Sequence, residues 1–190
     1  MGLRSLIRRR MYTPSFWAMG LRYLWLRIRR PGIVTHGMVY MARGVEIRCT
    51  RGLGHLEIGR EVWIGRGTAI RCHEGYLAIG DRVVFGGRDT ANCYLHVEIG
   101  ADCIFADEVY VGDFDHRTEQ LDRPIQAQGI VKSPVRIGAD CWIGTKAVIL
   151  RGTRVGTGSV VGAGTVARGD YPEKAVIVGA PGRVARYRGG

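Results

Sequence analysis

Proton transfer near neutral pH is the natural task of histidine, because its ordinary titration falls there. The chain holds five histidines in 190 residues. His116 has the surroundings that suit catalysis best. It lies in Asp113-Phe114-Asp115-His116-Arg117-Thr118, at the start of a polar stretch, residues 117–134 (RTEQLDRPIQAQGIVKSP). A histidine at the root of a projecting segment stands at the edge of a cleft and can take a proton from an acceptor hydroxyl. Asp113 and Asp115 flank it, and either can orient the ring; spacing does not choose between them. His73 and His96 are weaker candidates, each more readily a surface or lining residue. The five cysteines, Cys49, Cys72, Cys93, Cys103 and Cys141, form no CxxC pair. An odd set without that spacing suggests neither a disulfide frame nor a zinc knuckle, and points to a reducing compartment.

These residues need a scaffold, and its period is six. Ile137, Ile143, Ile149, Val155 and Val161 recur at six-residue steps, and glycine follows four of the five, at Gly138, Gly144, Gly156 and Gly162. A compact residue stands four places after each aliphatic: Cys141, Ala147, Thr153, Ser159, Thr165. Neither a helix face nor an alternating strand has this period. Hexapeptide parallel β-helices do, with one short strand and one corner per unit. Earlier matches run through Ile58, Ile64 and Ile70, then Ile79 and Phe85, then Ile99, Phe105 and Val111. Breaks fall near His73-Glu74-Gly75 and in GGRDTANCYLHVE, and the largest is residues 117–134. The repeat therefore covers about Val34 to Tyr171. The 29 glycines, about twice the usual share, suit a corner-rich solenoid.

Three segments are expected: 1–32, a basic amphipathic N-terminal stretch; 33–172, the β-helix with its projecting loop 117–134; and 173–190, a basic C-terminal tail. In the first, Arg4, Arg8, Arg9, Arg10, Arg22, Arg27, Arg29 and Arg30 interleave with Phe16, Trp17, Leu21, Leu24, Trp25 and Ile28. Leu21, Leu24, Trp25 and Ile28 share a helical face. Arginines interrupt the apolar run, which excludes a transmembrane helix, and no secretory signal pattern is present. The apolar face is expected to cap the first coil or to rest on an anionic membrane. The net charge of +11 favours anionic partners, though no nucleic-acid motif occurs.

Four stretches carry a family resemblance: DHRT at 115–118, RPIQAQGIVKSP, IGADCWIGTKAVILRGTRVGTGSVVGAGTV, and VGAPGRVAR at 178–186. Across roughly Ile58 to Arg186 the chain resembles the hexapeptide-repeat acyltransferases, in the sugar O-acetyltransferase branch related to maltose and galactoside acetyltransferases. The resemblance implies an all-β solenoid, a left-handed parallel β-helix, assembled as a homotrimer with acyl-CoA sites between subunits. It implies acetyl-CoA as the acyl donor, a sugar, glycan or glycolipid as acceptor, and His116 as the base. It assigns Trp142, Gly144, Thr145, Ala163, Arg183 and Arg186 to the cofactor, with an amide near Gly144 or Thr145 serving the oxyanion. Asn92 and Asp113 are assigned to the acceptor. The family often has Thr-Lys-Asp where this chain has Arg168-Gly169-Asp170; Arg168 is expected to reach the cofactor phosphate in place of the lysine. The expected setting is cytoplasmic, with or without peripheral membrane contact, and without a metal. The alternatives are N-acyl transfer to an amino sugar, acetylation of another small molecule, a non-catalytic trimeric scaffold, and a γ-class carbonic anhydrase with zinc on His73, His96 and His116. The last lacks the ligand spacing of that class, because Leu121 stands five residues after His116.

Overall fold

The computed structural model describes residues 14–30 and 32–189. The basic opening stretch with Arg4, Arg8, Arg9 and Arg10, and Pro31, lie outside the described residues.

Short strands stack into three parallel sheets around a triangular core. Among the described residues, sheet A has seven strands, from Val34–Thr35 to Asp170–Tyr171, and sheet C six, from Glu46–Cys49 to Val166–Ala167. Sheet B has eight, seven from Val39–Met41 to Ala175–Val178 and, as the eighth, Arg183–Tyr187 folded back on its edge. The chain visits A, B and C in turn, which is the expected parallel β-helix.

The six-residue period sets the register. Ile99, Ile137, Val155 and Tyr171 stack in sheet A. Phe105, Ile143, Val161 and Ile177 stack in sheet B, and Val111, Ile149 and Ala167 in sheet C. All are buried. The compact residues point inward beside them, and their polar atoms are spent there: Ser159 Oγ donates to Pro172 O at 3.1 Å and Thr153 Oγ1 to Ala167 O at 3.1 Å. The glycine after each aliphatic answers to close approach. A Cβ on Gly144 would lie 2.6 Å from Ala163 N in the next coil. The left-handed backbone falls two residues later, at Lys146 with φ 58°.

Three sequence expectations change. The stretch GGRDTANCYLHVE is built of strands despite its break in the repeat: Thr90–Cys93 and His96–Ile99 are in register with the coils on either side. Ala91 fills an aliphatic slot, and the longer step from it to Ile99 falls at the Tyr94-Leu95 corner. The solenoid also runs past residue 172, since Ala175–Val178 continues sheet B and Arg183–Tyr187 pairs with it antiparallel.

The third change concerns the helix, α1 (Pro14–Arg29). Its capping face is not the one the spacing of Leu21, Leu24, Trp25 and Ile28 predicts. Leu26 is buried, Phe16 packs on the rings of Tyr40 and Trp63 at 5.4 and 6.4 Å, and the Tyr23 hydroxyl bonds Thr35 Oγ1 at 3.0 Å. The predicted apolar face points to solvent.

Candidate functional site

His116 ends the strand Phe114–His116, which pairs antiparallel with Ile130–Lys132. Residues 117–134 are thus the far part of a two-stranded arm, not a structureless loop. The arm leaves the corner between sheets C and A. Its tip is tied internally: Gln128 Nε2 donates to Gln120 O at 2.7 Å and to Arg123 O at 2.9 Å, and Arg123 Nη2 donates to Ala127 O at 2.8 Å.

The arm is braced on both sides. Arg151 Nε donates to Asp115 Oδ2 at 2.6 Å. Lys132 Nζ pairs with the Glu74 carboxylate and stands 6.0 Å from the centre of the Tyr94 ring. The rings of His73 and Tyr94 stack at 4.5 Å, Tyr94 meets Phe114 at 4.4 Å, and Phe114 meets His116 edge-on at 6.3 Å. A braced backbone therefore presents an exposed imidazole.

Neither flanking aspartate orients that imidazole. Asp115 sits on the opposite face of the strand and is bound to Arg151. Asp113 is fully buried. Its carboxylate accepts the backbone N–H groups of Tyr94, Leu95 and His96 at 2.8, 2.7 and 2.8 Å. This corrects the assignment of Asp113 to the acceptor, because its oxygens hold the Tyr94–His96 turn of the preceding coil. Asn92 lies on the outer side of sheet C beside Gly112, its register partner at the root of the arm. Its Oδ1 is buried and has no hydrogen-bond partner among the described residues. The Tyr110 hydroxyl covers Gly112, where a Cβ would lie 2.4 Å from it. Burial raises the Tyr110 pKa, and the Asn92 side chain works against that shift.

The predicted cofactor residues lie elsewhere. Trp142 is 54% exposed on the outer face of sheet B, in one row with Ile104, Val160, Val176 and Arg186. Arg183 opens the edge strand beside Val178. Gly144, Thr145 and Ala163 stack on the corner between B and C, where the Thr145 hydroxyl donates to Asp107 O at 2.7 Å. The Gly144 amide donates to Val161 O at 2.7 Å and is not free for an oxyanion. Arg168 is exposed on the C–A corner, the arm's corner, where the Tyr171 hydroxyl links its backbone to Gly182 O, the carbonyl that also accepts from Arg183. One chain thus splits the predicted site between two edges of the prism, with sheet C between them.

The histidines do not converge. His73 stacks on Tyr94, His96 tilts against Tyr76 at 5.5 Å on sheet A, and His116 stands on the arm. Sequence reasoning missed Glu74, Lys132 and Arg151. The run Gly129-Ile130-Val131-Lys132 is a strand signal after a glycine, and it marks the arm's return.

Residues 134–166 match the family described as "Hexapeptide repeat of succinyl-transferase". A probable acetyltransferase of Mycobacterium tuberculosis is 47% identical over 186 residues, covering 98% of this chain, which spans 62% of that relative's length. WbbJ of Escherichia coli, a candidate O-acetyl transferase of lipopolysaccharide biosynthesis, is 29% identical over 85% of this chain and 87% of its own. Among solved structures, a serine-to-alanine variant of AntD, a Bacillus cereus N-acyltransferase in complex with dTDP-4-amino-4,6-dideoxyglucose and coenzyme A, shares the fold. Its TM-score is 0.73 at 18% identity, over 86% of this chain and 89% of that one.

Proposed function

We propose that this chain, which is similar to the hexapeptide-repeat acetyltransferases, carries an acetyl group from acetyl-CoA to a hydroxyl of a sugar, glycan or glycolipid, with His116 as general base. The observation that carries this reading is the exposed His116 on an arm braced by Arg151–Asp115 and Lys132–Glu74. The acceptor oxygen attacks the thioester carbonyl as its proton passes to the imidazole. The tetrahedral intermediate then collapses, the C–S bond breaks, and the imidazolium returns the proton to the departing thiolate. Trp142, Thr145 and Ala163 are the donor's contacts on this reading, with Arg183 and Arg186 toward its phosphates.

Those residues share no edge with His116 in one chain, which supports a homotrimer whose neighbours complete each site. Five unpaired thiols and a CoA donor favour the reducing cytoplasm.

Thiol release from acetyl-CoA in the presence of candidate sugars tests the base. His116→Ala is expected to lower turnover by about 10²–10⁴-fold while keeping its mass and melting temperature. Undiminished turnover would overturn the assignment. N-acyl transfer is the second reading, favoured by the amino sugar bound in the AntD neighbour; preferential use of an amino sugar over its hydroxyl analogue would select it.

A further inference from the structure

The excess positive charge is concentrated at the N-terminal end. Along the solenoid, corner arginines are matched: Arg60 with Asp81, Arg82 with Asp102, Arg88 with Glu108. No acidic residue precedes Glu46 in the sequence. Within α1, Arg22 donates to Met41 O and Arg27 to the Tyr23 hydroxyl, and the Arg29 guanidinium lies 5.6 Å from the Trp25 ring centre. No carboxylate pairs with Arg22, Arg27, Arg29 or Arg30 among the described residues.

The outer face of this helix is apolar. Trp17, Leu21, Leu24, Trp25 and Ile28 are 68%, 68%, 56%, 59% and 69% exposed. At 100° per residue they fall in one arc, opposite Leu26, with Arg27 and Arg29 on either side. Capping the solenoid does not account for these five residues, because the inner face does the capping.

We propose that the outer face of α1 docks the protein on an anionic lipid surface, with Trp17, Leu21, Leu24 and Ile28 in the interfacial layer and Arg27 and Arg29 among the headgroups. Charge complementarity selects this occupant. Two copies meeting through this face would oppose arginine flanks with no acid on the helix to answer them. A nucleic acid would satisfy the arginines and leave the apolar arc uncovered. A lipid interface accepts both, and its negative surface attracts each arginine. No helix among the described residues is long and apolar enough to cross a membrane, so α1, about 24 Å long, would lie along the surface. It packs on the first coil, and the arm leaves the fourth, roughly 15 Å along the axis. A sugar carried by a membrane lipid is then the fitting acceptor; that consequence rests on the acyl-transfer reading, and the docking itself does not.

The full chain would be sedimented with phosphatidylcholine vesicles, with and without phosphatidylglycerol, while tryptophan emission is recorded. Wild type is expected to bind the anionic vesicles at least about tenfold more tightly, with a blue shift. Leu21→Gln with Leu24→Gln, and separately Arg27→Gln with Arg29→Gln, should each lose about tenfold or more and keep the melting temperature. Wild type left in the supernatant, or both double variants binding as wild type, would overturn the proposal. So would a lower oligomer mass in the leucine variant without vesicles, which would assign the face to contacts between copies. Turnover on a water-soluble sugar separates the two readings. An active chain that ignores vesicles sinks only the docking, and an inactive chain that binds them sinks only the acyl transfer.

Discussion

Two buried aspartates show how position, not residue type, decides what a carboxylate does. Asp113 holds three backbone N–H groups, so Asp113→Ala leaves three donors without an acceptor. Such a loss is expected to cost about 2–4 kcal/mol, read as a lower melting temperature, while the folded fraction keeps its acceptor KM. A raised KM without destabilisation would return Asp113 to the acceptor. Asp89 is 2% exposed; one oxygen accepts the Val109 N–H at 2.8 Å and the other has no partner among the described residues. Burial pushes its pKa from 3.8 to about 7. The unfolded chain releases this proton above 3.8 and the folded chain keeps it to about 7, so its contribution to stability falls as pH rises through that window. The full effect is a few kcal/mol at most. The melting temperature of wild type should decline over that range more steeply than that of Asp89→Asn. Parallel pH profiles for the two proteins would refute the assignment.

At the scale of elements, the arm and the coils place His116 by different means. The coils are rigid through close backbone contact, so Gly144→Ala should cost about 1–3 kcal/mol by forcing the next coil away. The arm depends on its two ion pairs. Removing the brace with Arg151→Ala should lower kcat by about ten- to a hundredfold, since small misplacements of a base are expensive, and should leave the acetyl-CoA KM and the melting temperature nearly unchanged. A kcat equal to wild type in Arg151→Ala and in its combination with Lys132→Ala would show that the braces do not position the base. The coils were legible in the sequence because inward aliphatics must recur at a fixed step. The arm was not, because Phe114 and Lys132 pair across a long intervening stretch and only one of the strands carries a clear pattern. The facing of α1 was misread for a related reason. Both of its faces are apolar, and spacing alone does not say which one meets Tyr40 and Trp63.

For the whole molecule, the division of the site between prism edges leads to a test that no single-chain arrangement passes. If each reaction centre joins the His116 arm of one subunit to the Trp142 face of the next, His116→Ala and Trp142→Ala damage opposite halves of one site. Each homotrimer is then impaired at all of its sites when acetyl-CoA is well below KM. When the two variants are unfolded together, mixed in equal amounts and refolded, some interfaces pair an intact His116 with an intact Trp142. Random assortment in a cyclic assembly makes that about one site in four. Turnover near a quarter of wild type is expected from the mixture, far above the mean of the two variants refolded apart. A mixture no better than that mean, in assemblies shown by mass to contain both chains, would mean that each chain builds its own site, and Trp142, Thr145 and Ala163 would lose their assignment to the donor.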